Sequence, residues 1–213
     1  VNTIYVSFNY HKYGDSKPYL IVTKDGGETW KSISSNIPAN NFVWTIVEDH
    51  LNPNLLFLGT EFGMFFSIDG GNYWNEFKNV PTIPIRDLEI HESEDDLVAA
   101  SFGRGFYIVD DYSPIREYSK LIENKSAHLF SVKSAYQYVV AAPEKTATGH
   151  NFFTSPNPPY GVKLSYYLGK SLLSKFEERK KEEFSKFNKG EIINYPTAEK
   201  LEGEAKEKLP KLY

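Results

Sequence analysis

Thr23-Lys24-Asp25-Gly26-Gly27-Glu28-Thr29-Trp30 returns 44 residues later as Ser67-Ile68-Asp69-Gly70-Gly71-Asn72-Tyr73-Trp74. Both stretches obey Ser/Thr-x-Asp-x-Gly-x-x-Trp, so Thr23, Asp25, Gly27 and Trp30 answer to Ser67, Asp69, Gly71 and Trp74. Recurrence at such a period marks a repeat architecture. Each position has a physical task. Asp at the head of a tight turn accepts hydrogen bonds from the turn's own amides. Gly supplies the positive φ that the turn demands. Trp brings the chain back into an apolar slot. The spacing therefore predicts a strand, a rigid turn and a second strand in each copy, with both Trp side chains buried.

Working outward, each copy is preceded by short alternating or wholly apolar runs, the pattern of half-buried and fully buried strands. These are Thr3–Phe8 and Tyr19–Thr23, then Phe42–Glu48, Leu55–Thr60 and Gly63–Ile68. A third, decayed copy starts 42 residues after Gly63: Gly105-Phe-Tyr-Ile-Val-Asp-Asp111 matches Gly63-Met-Phe-Phe-Ser-Ile-Asp69 but lacks the glycines and the Trp. Its strands are Ile85–Ile90, Leu97–Ser101 and Gly105–Asp110. Four strands in about 44 residues is the period of a β-propeller blade. The expectation is about two and a half blades, with Phe42 to Asp111 forming two adjacent antiparallel ones. A ring needs about 4–8 blades, so the remainder of the propeller is expected upstream.

The 213 residues carry a net charge of −4, which gives no electrostatic footprint for nucleic acid. No run reaches the ~18 apolar residues of a membrane span. Without cysteine there are no disulfides, thiolate nucleophiles or thiolate metal ligands. Charge shifts along the chain: residues 1–168 hold 13 basic and 19 acidic side chains, and residues 169–213 hold 11 and 9. Residues 1–122 read as terminal blades, and 123–213 as a linker and incomplete β-sandwich with a charged helical insertion over 169–209. In that second part Ala127–Val132 and Val162–Leu168 read as strands, the latter awaiting partners beyond Tyr213. Ser174 and Glu177 have capping-box spacing for a helix over Leu173–Lys189. That helix is expected to dock through Leu173, Phe176, Phe184 and Phe187, with Glu177 and Lys181 as an i, i+4 pair. Gly190 stops it, and Thr197 caps a second helix that Pro210 ends. Ser155 to Gly161 is stiff junction material.

A search for chemistry returns little. The histidines (His11, His50, His91, His128 and His150) show no metal-ligand spacing, and neither a metal nor a cofactor is expected. Serine-hydrolase and phosphate-loop motifs are missing. Glycoside hydrolysis needs two carboxylates across a cleft. The cluster Glu92, Glu94, Asp95 and Asp96 sits between two strands and reads as a solvated loop. No catalytic residue is assigned. Glu61, Arg86, Asp87 and Arg104 stand at strand starts or ends and are expected to face the axial channel, either as an anion-binding set or as ion pairs tying blades together. Phe62, Phe65, Phe66, Phe102, Phe106 and Tyr107 read mostly as blade packing.

Three stretches carry a family resemblance: Asn52 to Trp74, Pro84-Ile-Arg-Asp-Leu-Glu-Ile-His91, and Gly103-Arg-Gly-Phe-Tyr-Ile-Val-Asp-Asp111. Together they resemble large bacterial proteins with BNR/Asp-box repeats, similar to the sortilin ectodomain and often labelled "glycosyl hydrolase". Asn157-Pro-Pro-Tyr-Gly161 with Leu164-Ser-Tyr-Tyr-Leu168 resembles the first strand of that family's Ig-like domain, and the charged helical stretch an insertion within it. Where the family often has His-Gly-Arg-Gly, this chain has Phe102-Gly103-Arg104-Gly105, so any role of that histidine is absent. The resemblance implies an extracytoplasmic address and a non-catalytic binding or scaffold module for protein or glycan partners. The alternatives are part of a sialidase- or xyloglucanase-like glycoside hydrolase whose carboxylates lie elsewhere, and a chaperone-like assembly factor that binds peptides. Asp boxes serve all of these, and so specify fold rather than function.

Overall fold

The computed structural model describes residues 2–118, 122, 124–135, 137, 161–170 and 173–206. Three antiparallel sheets follow the sequence repeat. The first unit contains β1 (Ile4–Tyr10), β2 (Asp15–Thr23) and β3 (Lys31–Ser32), with a one-turn 3-10 helix (His11–Tyr13) between β1 and β2. The second is a four-stranded meander of β4 (Val43–Glu48), β5 (Leu56–Thr60), β6 (Gly63–Ser67) and β7 (Asn75–Glu76). The third contains β8 (Ile85–His91), β9 (Asp96–Ser101) and β10 (Phe106–Val109), with no outer strand among the described residues. β4 packs against β8 of the next unit and against β1, which precedes the box-bearing β2 as β5 precedes β6. Radially arranged meanders of this kind are propeller blades.

Burial explains the strand sequences. Every residue of β5 is buried, because both faces of its sheet are covered. Leu56 and Leu58 point towards the first unit, sharing a core with its Leu20, Val22 and Ile33 and with Val43 and Trp74 of their own unit. Leu55 and Phe57 point the other way, towards Ile85 and Leu97 of the third unit. Side chains alternate along a strand, so one run of apolar residues fills two cores.

The third unit ends differently from the others. After β10, Asp111 adopts φ 55° and the chain enters α1 (Ser113–Glu117) instead of a box turn. Tyr112 is fully buried, meeting Phe57 edge-on at 5.0 Å and donating its hydroxyl to Asp49 Oδ1 at 2.6 Å. Arg116 stands 42 residues after Trp74, where the repeat would place its Trp. Its Nε reaches Asp49 Oδ2 at 2.7 Å, and its Nη2 reaches Asp49 Oδ1 at 2.7 Å and Asp95 Oδ1 at 2.6 Å. Asp95 and Asp96 are therefore structural, unlike the exposed Glu92 and Glu94: Asp96 accepts from the Asp111 amide at 2.8 Å.

Beyond α1, β11 (Ala127–Leu129) pairs antiparallel with β12 (Tyr166–Leu168). This corrects the expectation that the second strand takes its partners from beyond Tyr213; the chain itself supplies one. Residues 155–160 and Pro210 lie outside the described residues. The helix α2 (Lys175–Asn188) starts at Ser174 with a complete capping box: Glu177 N–H donates to Ser174 Oγ, and Ser174 N–H donates to Glu177 Oε2 at 2.9 Å. Glu177 is taken up by that cap, and the i, i+4 ion pair of the helix is Arg179–Glu183 instead of Glu177–Lys181. A second helix, α3 (Ala198–Lys206), packs against α2 through Arg179, whose guanidinium meets both oxygens of Glu204 at 2.8 Å. The expected apolar docking face is not covered: Leu173, Phe176, Phe184 and Phe187 are all exposed. The buried, salt-bridged Arg179 holds the hairpin together instead, with Phe176 5.3 Å from its guanidinium carbon.

Candidate functional site

The two box turns share one hydrogen-bond pattern. Thr23 Oγ1 donates to Asp25 Oδ1 at 2.6 Å and accepts the Gly27 amide at 2.9 Å, while the Thr29 amide reaches Asp25 Oδ1 at 2.9 Å. Ser67 Oγ donates to Asp69 Oδ1 at 2.7 Å and accepts the Gly71 amide at 2.9 Å, while the Tyr73 amide reaches Asp69 Oδ1 at 2.9 Å. The Thr23 and Thr29 hydroxyls hold the Asp25 carboxyl well below the usual carboxylate range. These donors tie both acids into their own turns, Asp25 through both oxygens and Asp69 through Oδ1.

The two Trp side chains part company. Trp74 is buried, and its indole N–H donates to the Ile33 carbonyl at 2.6 Å. Trp30 is 44% exposed, and its indole N–H turns back to the Gly27 carbonyl at 3.1 Å. The expectation of equal burial fails for a physical reason. The slot of Trp74 is built by Ile33 and Ile37 of the preceding unit, and no unit among the described residues offers the same to Trp30. Contact there is tight: a Cβ on Gly71, at φ +86°, would lie 2.9 Å from Ile33 Cδ1.

A different constellation forms at the end of the sheets where β4 and β8 begin and the β1–β2, β5–β6 and β9–β10 turns lie. Register shifts between Val43 and Thr45 and between Ile85 and Asp87 make Trp44 and Arg86 bulged residues at the same place in successive units. A bulge re-aims its side chain and is favoured at sheet rims. Here the two stack, with Arg86 Cζ 3.4 Å from the Trp44 ring centroid. Phe102, from the next turn, approaches the same guanidinium at 5.2 Å. Trp44 is held in turn. Its Nε1 donates to Glu61 Oε2 at 2.9 Å, Phe42 meets it edge-on at 5.0 Å, and His11 meets it at 5.6 Å while stacking on Phe42 at 5.0 Å.

The structure thus joins Glu61 to Arg86 through an indole. Asp87 is exposed and accepts the Leu88 amide at 3.0 Å; Arg104 is exposed on its Gly-flanked turn. Among the described residues, the ion pairs of arginine belong to Arg116 and Arg179, and none includes Arg86 or Arg104. Blade-tying ion pairs do exist, but they are those of Arg116. Phe62, Phe102 and Phe106 are exposed rather than packed, while Phe65 is buried and Phe66 and Tyr107 are partly so. Sequence reasoning missed Trp44 and His11; the available signal was that Trp44 stands 42 residues before Arg86. Elsewhere, an apolar groove of about 390 Å³ lies beside α1, lined by Phe66, Ile68, Ile115 and Phe130. No group of acids and histidines among the described residues is placed to hold a metal ion.

No family model matches the chain, and no curated protein matches it. Partial likenesses to solved structures exist. An ancestral GH74 enzyme shares 19% identity over 49% of this chain and 12% of its own, with a TM-score of 0.41. The Niastella koreensis GH74 enzyme shares 13% identity over 53% and 18%, with a TM-score of 0.43. YCF48 bound to D1 peptide shares 18% identity over 43% and 30%, with a TM-score of 0.31. All are β-propeller proteins, and this chain spans less than a third of each.

Proposed function

We propose that the chain is a non-catalytic, extracytoplasmic binding module for protein or glycan partners, with blades over 1–122 and a second, appended unit over 123–213. Its contact surface is the sheet end carrying Trp44, Glu61, Arg86, Asp87, Phe102 and Arg104. The observation that carries this reading is the stack of the two bulged residues, Trp44 and Arg86. It presents an exposed cation between the half-buried Trp44 and the exposed Phe102. Preorganised aromatic and arginine side chains are the usual anchors of interfaces. The acids at this end do not form a hydrolytic pair in search of a proton: Glu61 accepts from an indole and Asp87 from a backbone amide. Among the described residues no helix is long and apolar enough to cross a membrane.

The test is a panel of immobilised peptides and plant and bacterial oligosaccharides, probed with the chain and with the Trp44→Ala/Arg86→Ala double variant. Binding that the double variant loses, with no release of sugar from xyloglucan or aryl glycosides, supports the proposal. Glycoside turnover abolished by changing Glu61 or Asp87 sinks it.

A further inference from the structure

We infer that the Trp44–Arg86 stack is a receptor for a carboxylate, supplied by an acidic segment of polypeptide; this rests on the binding role proposed for the same surface. A guanidinium has two faces and a rim of five N–H donors. Arg86 Cζ lies 3.4 Å from the Trp44 ring centroid, at stacking distance, and 5.2 Å from that of Phe102. No carboxylate among the described residues pairs with its rim, whereas Arg116 and Arg179 each fill theirs with two acids. Stacking therefore holds the plane of Arg86 and leaves its fork for a ligand. A fork fixed in advance loses little freedom on binding, and it matches the two oxygens of a carboxylate.

Two neighbours sharpen the choice of ligand. The carboxylates of this sheet end, Glu61 and Asp87, are directed to the Trp44 indole N–H and the Leu88 amide, and neither forms an ion pair with Arg86. Arg104, on the following turn, adds a second exposed positive charge. Sugar recognition asks for an open aromatic face, but Trp44 is covered by Arg86 on one side and met edge-on by Phe42 and His11. Phe102, 67% exposed and 5.2 Å from the guanidinium carbon, stands beside the cation, and Phe62 on the β5–β6 turn is exposed as well; such rings suit apolar residues next to the acid. A chain mixing acidic and aromatic residues meets both demands.

The probe is an acetylated and amidated peptide of alternating glutamate and phenylalanine, with its glutamine counterpart and oligogalacturonate as the other arms. The readouts are dissociation constants and the ¹⁵N side-chain signal of Arg86 Nε, assigned with Arg86→Lys. The glutamate peptide is expected to shift that signal and to bind at least about tenfold more tightly than the glutamine peptide, the margin of one bidentate charged contact. Arg86→Lys keeps the charge but not the fork, and is expected to lose most of that margin. Equal binding of the two peptides overturns the inference and leaves the binding surface standing. Oligogalacturonate shifting Arg86 Nε when the glutamate peptide does not overturns it in favour of an acidic glycan. Failure of every arm also overturns it, and the binding role itself then falls only if the wider panel shows no ligand.

Discussion

Asn36 grips the backbone of Trp74 from the neighbouring unit. Its Nδ2 donates to the Trp74 carbonyl and its Oδ1 accepts the Trp74 amide, both at 2.8 Å. With the indole bonded to Ile33, the second box turn is fastened to the loop that follows β3. The loop after β7 repeats the chemistry in part: Ile33, Asn36, Ile37 and Pro38 answer to Phe77, Asn79, Val80 and Pro81. There, α1 takes the place of a box, and Asn79 is exposed.

Trp74→Ala is expected to destabilise the chain by about 3–5 kcal/mol, the range for deleting a large buried aromatic. Trp30→Ala, at an exposed position, is expected to cost less than about 1 kcal/mol. Urea unfolding of both variants checks the contrast, and similar losses would contradict the account of the slot.

Gly59 lies where β5 crosses β8. A Cβ there would meet the Ile85 carbonyl oxygen and Thr45 Cγ2, each at 2.7 Å. Because one of these atoms is backbone, the sheets must part to admit a methyl group. Gly59→Ala should cost about 1–3 kcal/mol, as overpacking does, despite being a small change on a strand. A thermal melt indistinguishable from that of the unsubstituted chain would refute the contact.

Acid should act through Asp49. Burial pushes its carboxyl up, but hydrogen bonds from Arg116 and Tyr112 outweigh this and leave its pKa lowered. A lowered pKa means stabilisation that is complete above the unfolded value of about 3.9 and lost as pH falls through the folded value. Asp49→Asn should cost about 3 kcal/mol at pH 7, since Arg116 keeps only Asp95. It should also flatten the loss of stability below about pH 4, by up to one proton's worth of slope. Urea midpoints between pH 7 and pH 2.5 measure both effects.

Hydrogen exchange should separate the two parts of the chain. Every residue of β5 is buried, whereas α2 buries only Arg179. Exposed backbone bonds with few apolar contacts open first. The amides of Lys175–Asn188 should exchange faster than those of Leu56–Thr60; equal protection would show an α2 more firmly packed than its burial implies.

Much of the fold was legible because its signals are short-range. The strands lie close to their apolar runs, and the capping box of α2 needs only residues 174–177. The same local rules erred where a partner was required. The period of Leu173, Phe176, Phe184 and Phe187 describes one helix face, but not whether anything covers it. The strand near Tyr166 was legible as a strand, yet its pairing with Ala127–Leu129 spans a long intervening stretch. At the binding surface, Arg86 stood out as a charge at a strand start, but Trp44 did not, since an aromatic residue on an inner strand usually packs inward.

What the sequence determined by itself is the pair of box turns: their donors and acceptors lie within four residues, as in Thr29 to Asp25 and Tyr73 to Asp69, so the turn closes without help. The tertiary structure alone decided that Trp74 is buried and Trp30 is not, and that Arg86 rests on Trp44. Those outcomes depend on groups some 40 residues away, such as Ile33 for Trp74 and Trp44 for Arg86. Burial and stacking belong to pairs of surfaces, and only packing one unit against the next brings the second surface into place.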